Sequence, residues 1–337
     1  MVRPINKFTI PFNQLGAQPE NAANWILRSR YNLSDLSSSG AILGCRTFSF
    51  YVNDTYYLYA IYGSASHYVF TSTDGVNWTS NSFLSGYDIT GISYTSGNFY
   101  AFTANAPGYT LRSTNGISSW TSISSQVAAT YLGVANNIMF TWDNATGQNQ
   151  VVSSSNGITW TQRLSGIVSA SAVAYGNGVY AIVSGGDNSY YTSSNLTAWT
   201  LRNTGNLLVS IFFKDGYFYL LDFLSTTGSL RNFRLRRSTD AVNWTVISDH
   251  SAYLYPYHIY GNFSFDGNLM LYSGTDFDPQ NKITYRSLDN GLTWSSQTNP
   301  SIVTGGEFLS SSIVYGNKMF AMIGLGSAKI SIFTAKR

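Results

Sequence analysis

One turn, written six times, constrains this chain more than any other feature. STDGVNWT (72–79) returns as STNGISSWT (113–121), SSNGITWT (154–161), SSNLTAWT (193–200), STDAVNWT (238–245) and SLDNGLTWS (287–295). Trp78, Trp120, Trp160, Trp199, Trp244 and Trp294 stand in register, 42, 40, 39, 45 and 50 residues apart, so six of the eight tryptophans mark one point of a repeat. A short β-rich run precedes each copy (YVFT at 68–71, FRLR at 233–236) and another follows it (WTQRL at 160–164, WTVIS at 244–248). A polar cluster between two such runs is a hairpin turn. Its Asp or Asn folds back onto neighbouring amides, and Gly takes positive φ without steric cost. Ser72, Asp74 and Gly75 fill these places in the first copy; Asn115 and Gly116, Asn156 and Gly157, Asn195, Asp240, and Asp289 with Gly291 fill them in the others. The tryptophan opening the next run buries a large ring against the hairpin while its N–H finds an acceptor.

A second repeated feature counts the units independently. Apolar hairpins recur at 52–61, 97–103, 136–142, 176–183, 214–221, 266–273 and 316–323, each with an Asn, Asp or Gly turn. Seven hairpins stand against six turns, and the termini resolve the mismatch. The chain ends in KISIFTAKR (329–337), a third strand that stops where a turn should begin, and ENAANWILRS (20–29) reads as the missing fourth strand with Trp25 in the tryptophan place. A period of 39–50 residues built of short strands is that of a propeller blade. The chain therefore reads as all-β, a seven-bladed β-propeller of four-stranded blades. Its last blade is closed by the N-terminal strand (residues about 24–30), which removes an exposed sheet edge. The expected organisation is an arm over 1–19 and one propeller over 20–337.

The repeated turn resembles the Asp-box, or BNR repeat, of sialidase-like propellers. That resemblance covers nearly the whole chain and implies that the turn joins the third and fourth strands of each blade, at the rim and away from the central site. The chain's size is also similar to that of the photosystem assembly propellers of plastids and cyanobacteria, which begin with a targeting segment not seen here.

Charge is scarce: 10% of residues are charged, 16% are aromatic, and the net charge of +3 is spread without a basic run, which argues against nucleic-acid binding. Cys45 is alone, so an intrachain disulfide is excluded, and no Cys/His metal spacing occurs. No metal or cofactor is expected. The N-terminus shows no apolar core of a secretion signal, and no stretch approaches the length of a membrane span.

Ligands of propellers usually meet the loops entering first strands and those joining second to third strands. Read this way, the loops offer a binding set of Trp142, Asp143, Asp187, Tyr190, Asp222, His250, Tyr253, Tyr255, Tyr257, Asp276, Asp278 and Glu307, with His67 and Tyr109 beside them. Aromatics with scattered carboxylates suit a sugar-binding surface or a protein–protein patch equally. Asp222, Asp276 and Asp278 are the candidates for a two-aspartate glycosidase, and Asp276 and Asp278 could hold calcium with nearby carbonyls. No catalytic residue is assigned. Sialidase chemistry, as the family resemblance implies it, needs three converging arginines. Here Arg112, Arg237 and Arg286 directly precede the turn serine, and Arg28, Arg163 and Arg202 follow the tryptophan by three residues, so both sets read as repeat-equivalent structural residues of outer strands.

The function expected from these features is a non-enzymatic structural or binding propeller. The first reading is a bacteriophage virion component (tail, fibre or capsid surface), whose arm, with Pro4, Phe8, Pro11 and Phe12, docks on another virion protein. Host surface carbohydrate is a further partner, and the expected location is the virion, with the cytoplasm as the alternative. The composition, poor in charge and rich in Tyr, Ser, Thr, Asn and Gly, resembles that of phage structural and adhesion proteins. The alternatives are a sialidase-like carbohydrate-active enzyme or lectin, acting as a glycoside hydrolase if it is an enzyme, and a cellular assembly scaffold.

Overall fold

The computed structural model describes residues 6–8, 25–32, 45–62, 66–104, 108–124, 129–143, 149–167, 169–185, 188–227, 230–253, 263–267, 269–273, 283–298, 308–326 and 329–336. These residues form antiparallel strands and turns, with no helix among them. The chain is organised as two compact units, Met1–Gly86 with Tyr253–Arg337, and Tyr87–Ala252.

The second unit holds four meanders of four strands each. They are Ile89–Thr95, Asn98–Thr103, Thr110–Ser113 and Thr121–Ser124; then Ala129–Ala135, Ile138–Asp143, Gln150–Ser154 and Thr161–Ser165; then Ala170–Gly176, Val179–Ser184, Ser189–Ser193 and Thr200–Asn203; and finally Leu207–Lys214, Tyr217–Thr227, Leu230–Ser238 and Thr245–Tyr253. The first unit holds Cys45–Val52, Thr55–Tyr62, Ser66–Ser72 and Thr79–Ser82, then Phe263–Asp266, Leu269–Ser273, Ile283–Ser287 and Ser295–Thr298, and a closing sheet.

In the closing sheet Phe308–Gly316, Met319–Gly326 and Lys329–Lys336 are completed by Ile26–Asn32, as the unequal counts of hairpins and turns require. The two ends of the chain pair antiparallel, Ile26 opposite Thr334 and Asn32 opposite Lys329. Trp25 lies buried with Leu27, Phe320, Met322 and Phe333, in the place that the repeat assigns to a tryptophan. The sequence reading left the arm without a partner in the repeat count. Three of its residues, Asn6–Phe8, instead add a fifth strand to this sheet, with Asn6 opposite Asn32 and Phe8 opposite Arg30.

Why each segment takes its place follows from its side chains. Second strands read as near-continuous apolar runs, such as VYAIVS at Val179–Ser184, because they are packed on both faces, and all but the first of its residues are buried. Fourth strands are short and polar, such as TSNS at Thr79–Ser82, which is exposed or half-exposed throughout. Between first and second strands, six hairpin tips (53–54, 96–97, 136–137, 177–178, 215–216 and 317–318) have both central residues at positive φ, the two-residue geometry whose twist matches that of the strands. Neighbouring sheets within a unit pack face to face. Leu58, Phe70 and Trp78 meet Met319, Ile323, Ile330 and Ile332 in the first unit, and Val183 and Tyr190 meet Leu208, Phe218 and Leu220 in the second.

The repeated turn lies between third and fourth strands in all six copies and is built by one hydrogen-bond set. Asp74 Oδ1 accepts the amides of Val76 and Asn77, both at 2.8 Å, and the Ser72 hydroxyl at 2.9 Å, while the Gly75 amide donates to Ser72 Oγ. Asn115 Oδ1 accepts from the amides of Ile117 and Ser118, and Asn156 and Asn195 accept in the same way. Asp240 repeats the pattern, and Asp289 reaches Thr293 instead. One carboxylate or amide oxygen therefore suffices, which is why Asp and Asn interchange here. The Trp78 and Trp294 rings donate to the carbonyls of Gly75 and Gly291.

Candidate functional site

The largest departure from the repeat is in the sheet of residues 207–253. Its second, third and fourth strands run to 11, 9 and 9 residues, whereas the fourth strands of the other sheets in its unit have 4 or 5. Tyr217–Thr227 and Leu230–Ser238 form one long hairpin, and Phe223 and Phe233 pair across it with their rings edge to face. Alternation along the third strand sends Arg234 and Arg236 to the same face, the one that Asp222 occupies on the neighbouring strand.

Asp222 is fully buried and directly opposite Arg234 in register. Its Oδ2 accepts Arg236 Nε at 2.5 Å, along the diagonal of the ladder, and Asn206 Nδ2 at 3.2 Å. Burial pushes the Asp222 carboxyl above the usual carboxylate range, and the hydrogen bond and charge of Arg236 oppose that rise. Arg234 turns to the fourth strand, where Nε and Nη2 grip the two oxygens of Asp249, both at 2.7 Å. That hydrogen bond, ahead of the other influences, holds the Arg234 guanidinium above its ordinary pKa. Together the two ion pairs tie three strands, and the Asn206 hydrogen bond adds the segment entering the first. Asp222, with no exposed surface, serves as an internal clamp.

The other sequence-derived candidates in the described residues are engaged in the same manner. Tyr190 is buried, donating to the Ala241 carbonyl at 3.1 Å and accepting the indole N–H of Trp244 at 2.8 Å, and burial raises its phenol pKa. Asp143 is buried and accepts Gln150 Nε2 at 3.0 Å; Trp142 is half-buried and donates to the Ile167 carbonyl at 3.3 Å. His67 is buried, with its ring 5.7 Å from that of Phe83, and half-buried Tyr109 meets Tyr87 edge-on. His250 and Tyr253 lie on the strand Thr245–Tyr253, their side chains outside the described part. Asp187, Tyr255, Tyr257, Asp276, Asp278 and Glu307 lie outside the described residues.

These placements correct the loop reading for one physical reason. The strands run further than the hairpin pattern suggests, so 222–227 and 248–253, taken as loop, are ladder. His67, Trp142, Asp143 and Tyr190 likewise sit on strands. Sequence reasoning missed Asn206, Arg234, Arg236 and Asp249. The signal was present in FRLRR (233–237), where two arginines at alternate positions share one face of a strand and can pair with carboxylates on adjacent strands. Among the described residues, no three His, Cys, Asp or Glu side chains are grouped as metal ligands.

The two sets of arginines differ in their fates. Those three residues after a tryptophan reach back to a hydroxyl on the third strand: Arg28 Nε to Thr334 (2.7 Å), Arg163 Nε to Ser153 (2.8 Å) and Arg202 Nε to Thr192 (3.3 Å). They are repeat-equivalent braces. Of those preceding the turn serine, Arg237 lies over the Tyr217 ring, 4.5 Å from its centre.

The turn carboxylates Asp74, Asp240 and Asp289 are all held below the ordinary carboxylate range. Burial would raise Asp74, but the hydrogen bonds from Asn77, Val76 and Ser72 outweigh it and hold it down at about 2. The Asn243 amide, first among several donors, depresses Asp240 well below the usual range. For Asp289 burial again opposes, and the hydrogen bonds from Thr293 prevail. A carboxylate held ionised by its own backbone is a structural element, poorly suited to proton transfer.

These features define the class of protein: an all-β chain with the seven-bladed β-propeller fold, its last blade closed by the N-terminal strand. Solved structures of that fold resemble it over nearly its full length. YCF48 bound to D1 peptide matches with a TM-score of 0.58 at 15% identity, covering 96% of this chain and 98% of that one. YCF48 from Cyanidioschyzon merolae matches at 0.54 and 17%, covering 92% and 98%. Virginiamycin B lyase from Staphylococcus aureus matches at 0.60 and 11%, covering 92% and 99%. At these identities the likeness is one of fold. No protein-family model and no curated protein matches the sequence.

Proposed function

We propose that this chain is a non-enzymatic binding propeller, a bacteriophage virion component that attaches to a neighbouring virion protein through its N-terminal arm. The repeated turns are, on this reading, Asp-boxes that carry the scaffold and leave recognition to the rest of the surface. The observation that carries the non-enzymatic part is the engagement of the described candidates. Asp222 is held by Arg236 and Asn206, Asp143 by Gln150, and Tyr190 by Trp244 and the Ala241 carbonyl. A glycosidase needs two carboxyl groups facing an open cleft at a set separation, whereas these groups are spent on internal bonds. A protein partner agrees with a fold neighbour solved with a peptide, YCF48 with D1 peptide. The virion assignment draws on the low charge, on the abundance of Tyr, Ser, Thr, Asn and Gly, and on the arm.

The test is a glycan array with a hydrolysis assay on every glycan bound, run beside mass determination of the complexes formed with and without residues 1–18. Binding without turnover, and an assembly that needs the arm, are the expected results. Hydrolysis by the wild-type chain that Asp222→Asn abolishes while the fold survives would replace this reading with a carbohydrate-active enzyme.

A further inference from the structure

The closing sheet differs from the others in carrying a fifth strand, and that strand shows what its outer edge does. Asn6, Lys7 and Phe8 lie antiparallel against Asn32, Tyr31 and Arg30, so the edge of Ile26–Asn32 takes up an extended segment by main-chain pairing. The acceptor is rigid on its own account. Tyr31 is fully buried and its hydroxyl reaches the Trp78 carbonyl at 3.2 Å. Arg28 binds Thr334, and Arg30 binds Ser331 at 3.2 Å. The donor is held far less firmly. It pairs over three residues, and residues 9–25 separate it from the strand it pairs with. Three ladder residues supply few hydrogen bonds, each of small net value, against the conformational entropy of ordering the segment and closing the intervening chain. The segment that can act as a strand is longer than the paired part. Pro4 and Pro11 cannot donate to a ladder, and they bracket Ile5–Ile10 (INKFTI), an alternating, β-prone run.

We infer that the edge of Ile26–Asn32 is a strand-addition site whose occupant is exchangeable, and that Ile5–Ile10 of a second copy of this chain takes it when copies are concentrated. The exchange leaves the acceptor sheet intact and replaces one copy's arm by another's with the same pairing. Its extent is set by the concentration of copies relative to the effective concentration that tethering gives the arm, on the order of millimolar for tethered segments in general. Two copies exchanging arms reciprocally form a closed dimer. The inference does not depend on the virion assignment, because it concerns only the arm and the edge it occupies.

The register supplies the experiment. Asn6→Cys with Asn32→Cys, in a Cys45→Ser background, places one thiol on each strand at directly opposed positions. Two differently tagged preparations of the full-length variant are mixed, oxidised over a concentration series up to about millimolar, and separated without reductant. A disulfide-linked dimer of the two tags, its share rising with concentration and lost when Lys7→Pro is added, is the expected result. An intrachain crosslink alone at every concentration would overturn the exchange, and no crosslink of either kind would overturn the strand-addition site itself. The melting temperature of the Lys7→Pro variant, expected to be unchanged, separates loss of the arm from loss of the fold. A failed glycan or assembly experiment leaves this readout unaffected, so the two proposals fail separately.

Discussion

At Gly75 the repeated turn is constrained by what packs on it as well as by φ, since Leu196 and Ala241 hold the same place at positive φ in other copies. The φ of Gly75 is +68°, and a Cβ there would stand 2.4 Å from the Cε atom of Met319. Gly75→Ala combines left-handed strain with crowding and should cost about 1–3 kcal/mol, read as a shift of the denaturation midpoint at unchanged slope. The neighbouring Asp74 supports a pH prediction. Its folded-state pKa of about 2 lies below the ordinary 3.8, so its contribution is complete above the ordinary value and is lost as pH falls through the folded one. Asp240 and Asp289 are depressed in the same sense. The triple variant Asp74→Asn, Asp240→Asn, Asp289→Asn keeps the acceptor oxygen that Asn115, Asn156 and Asn195 use. It should nonetheless melt below the wild type at pH 7, because the oxygens that accept from Asn77, Asn243 and Thr293 become amide nitrogens. It should also lose part of the decline in melting temperature between roughly pH 4 and 2. An unchanged acid limb in calorimetry would refute the role given to these carboxylates. At this scale the sequence was highly legible, because six aligned copies expose which positions tolerate exchange and which do not.

Elements separate into those that the repeat dictates and those that depart from it. The braces Arg28, Arg163 and Arg202 were legible as structural from their equivalent positions, although the hydroxyl each one seeks lies on another strand and emerges only from the register. The long sheet of residues 207–253 was legible only in part. A strand that continues past its expected end looks like a loop when its side chains include Ser, Thr and Asp, and Asp222 was read as exposed for that reason. The structure makes it the fully buried partner of Arg236. Arg236→Ala strands that carboxylate and should cost about 3–5 kcal/mol, the range for breaking a buried pair by removing one partner. The loss should shrink as pH falls, since protonation neutralises the stranded group. Asp222→Leu combined with Arg236→Met should recover most of the stability, as measured in denaturant. A single Arg236→Ala variant with wild-type stability would show that the clamp is dispensable.

The molecule as a whole is defined by how its two ends meet. Deleting residues 1–18 leaves the closing strand in place and should leave a cooperative melt close to that of the wild type. Deleting 1–32 removes Trp25 and Ile26–Asn32, exposes the edge of Lys329–Lys336, and should abolish cooperative unfolding as followed by circular dichroism and calorimetry. Equal tolerance of both deletions would sink the closure. The unequal counts of hairpins and turns made this joining legible before any coordinates, because a repeat that begins at its fourth strand and ends at its third has one arithmetic solution. What the repeat cannot reveal is anything that happens once. The arm's pairing and the long hairpin are single events, and periodicity carries no signal for them.

The meeting of the ends also sets a schedule. Ile26–Asn32 leaves the ribosome long before its partner, Lys329–Lys336, the last of the described strands. At about 5–20 residues per second the early strand waits roughly 15–60 seconds before its ladder can form. Through that interval Trp25 and Leu27, both buried in the finished fold against Phe320, Met322 and Phe333, lack the strands that cover them. Biogenesis of this chain should consequently depend on holding that segment away from other nascent copies, and high expression should tax the cell at this one place before any other.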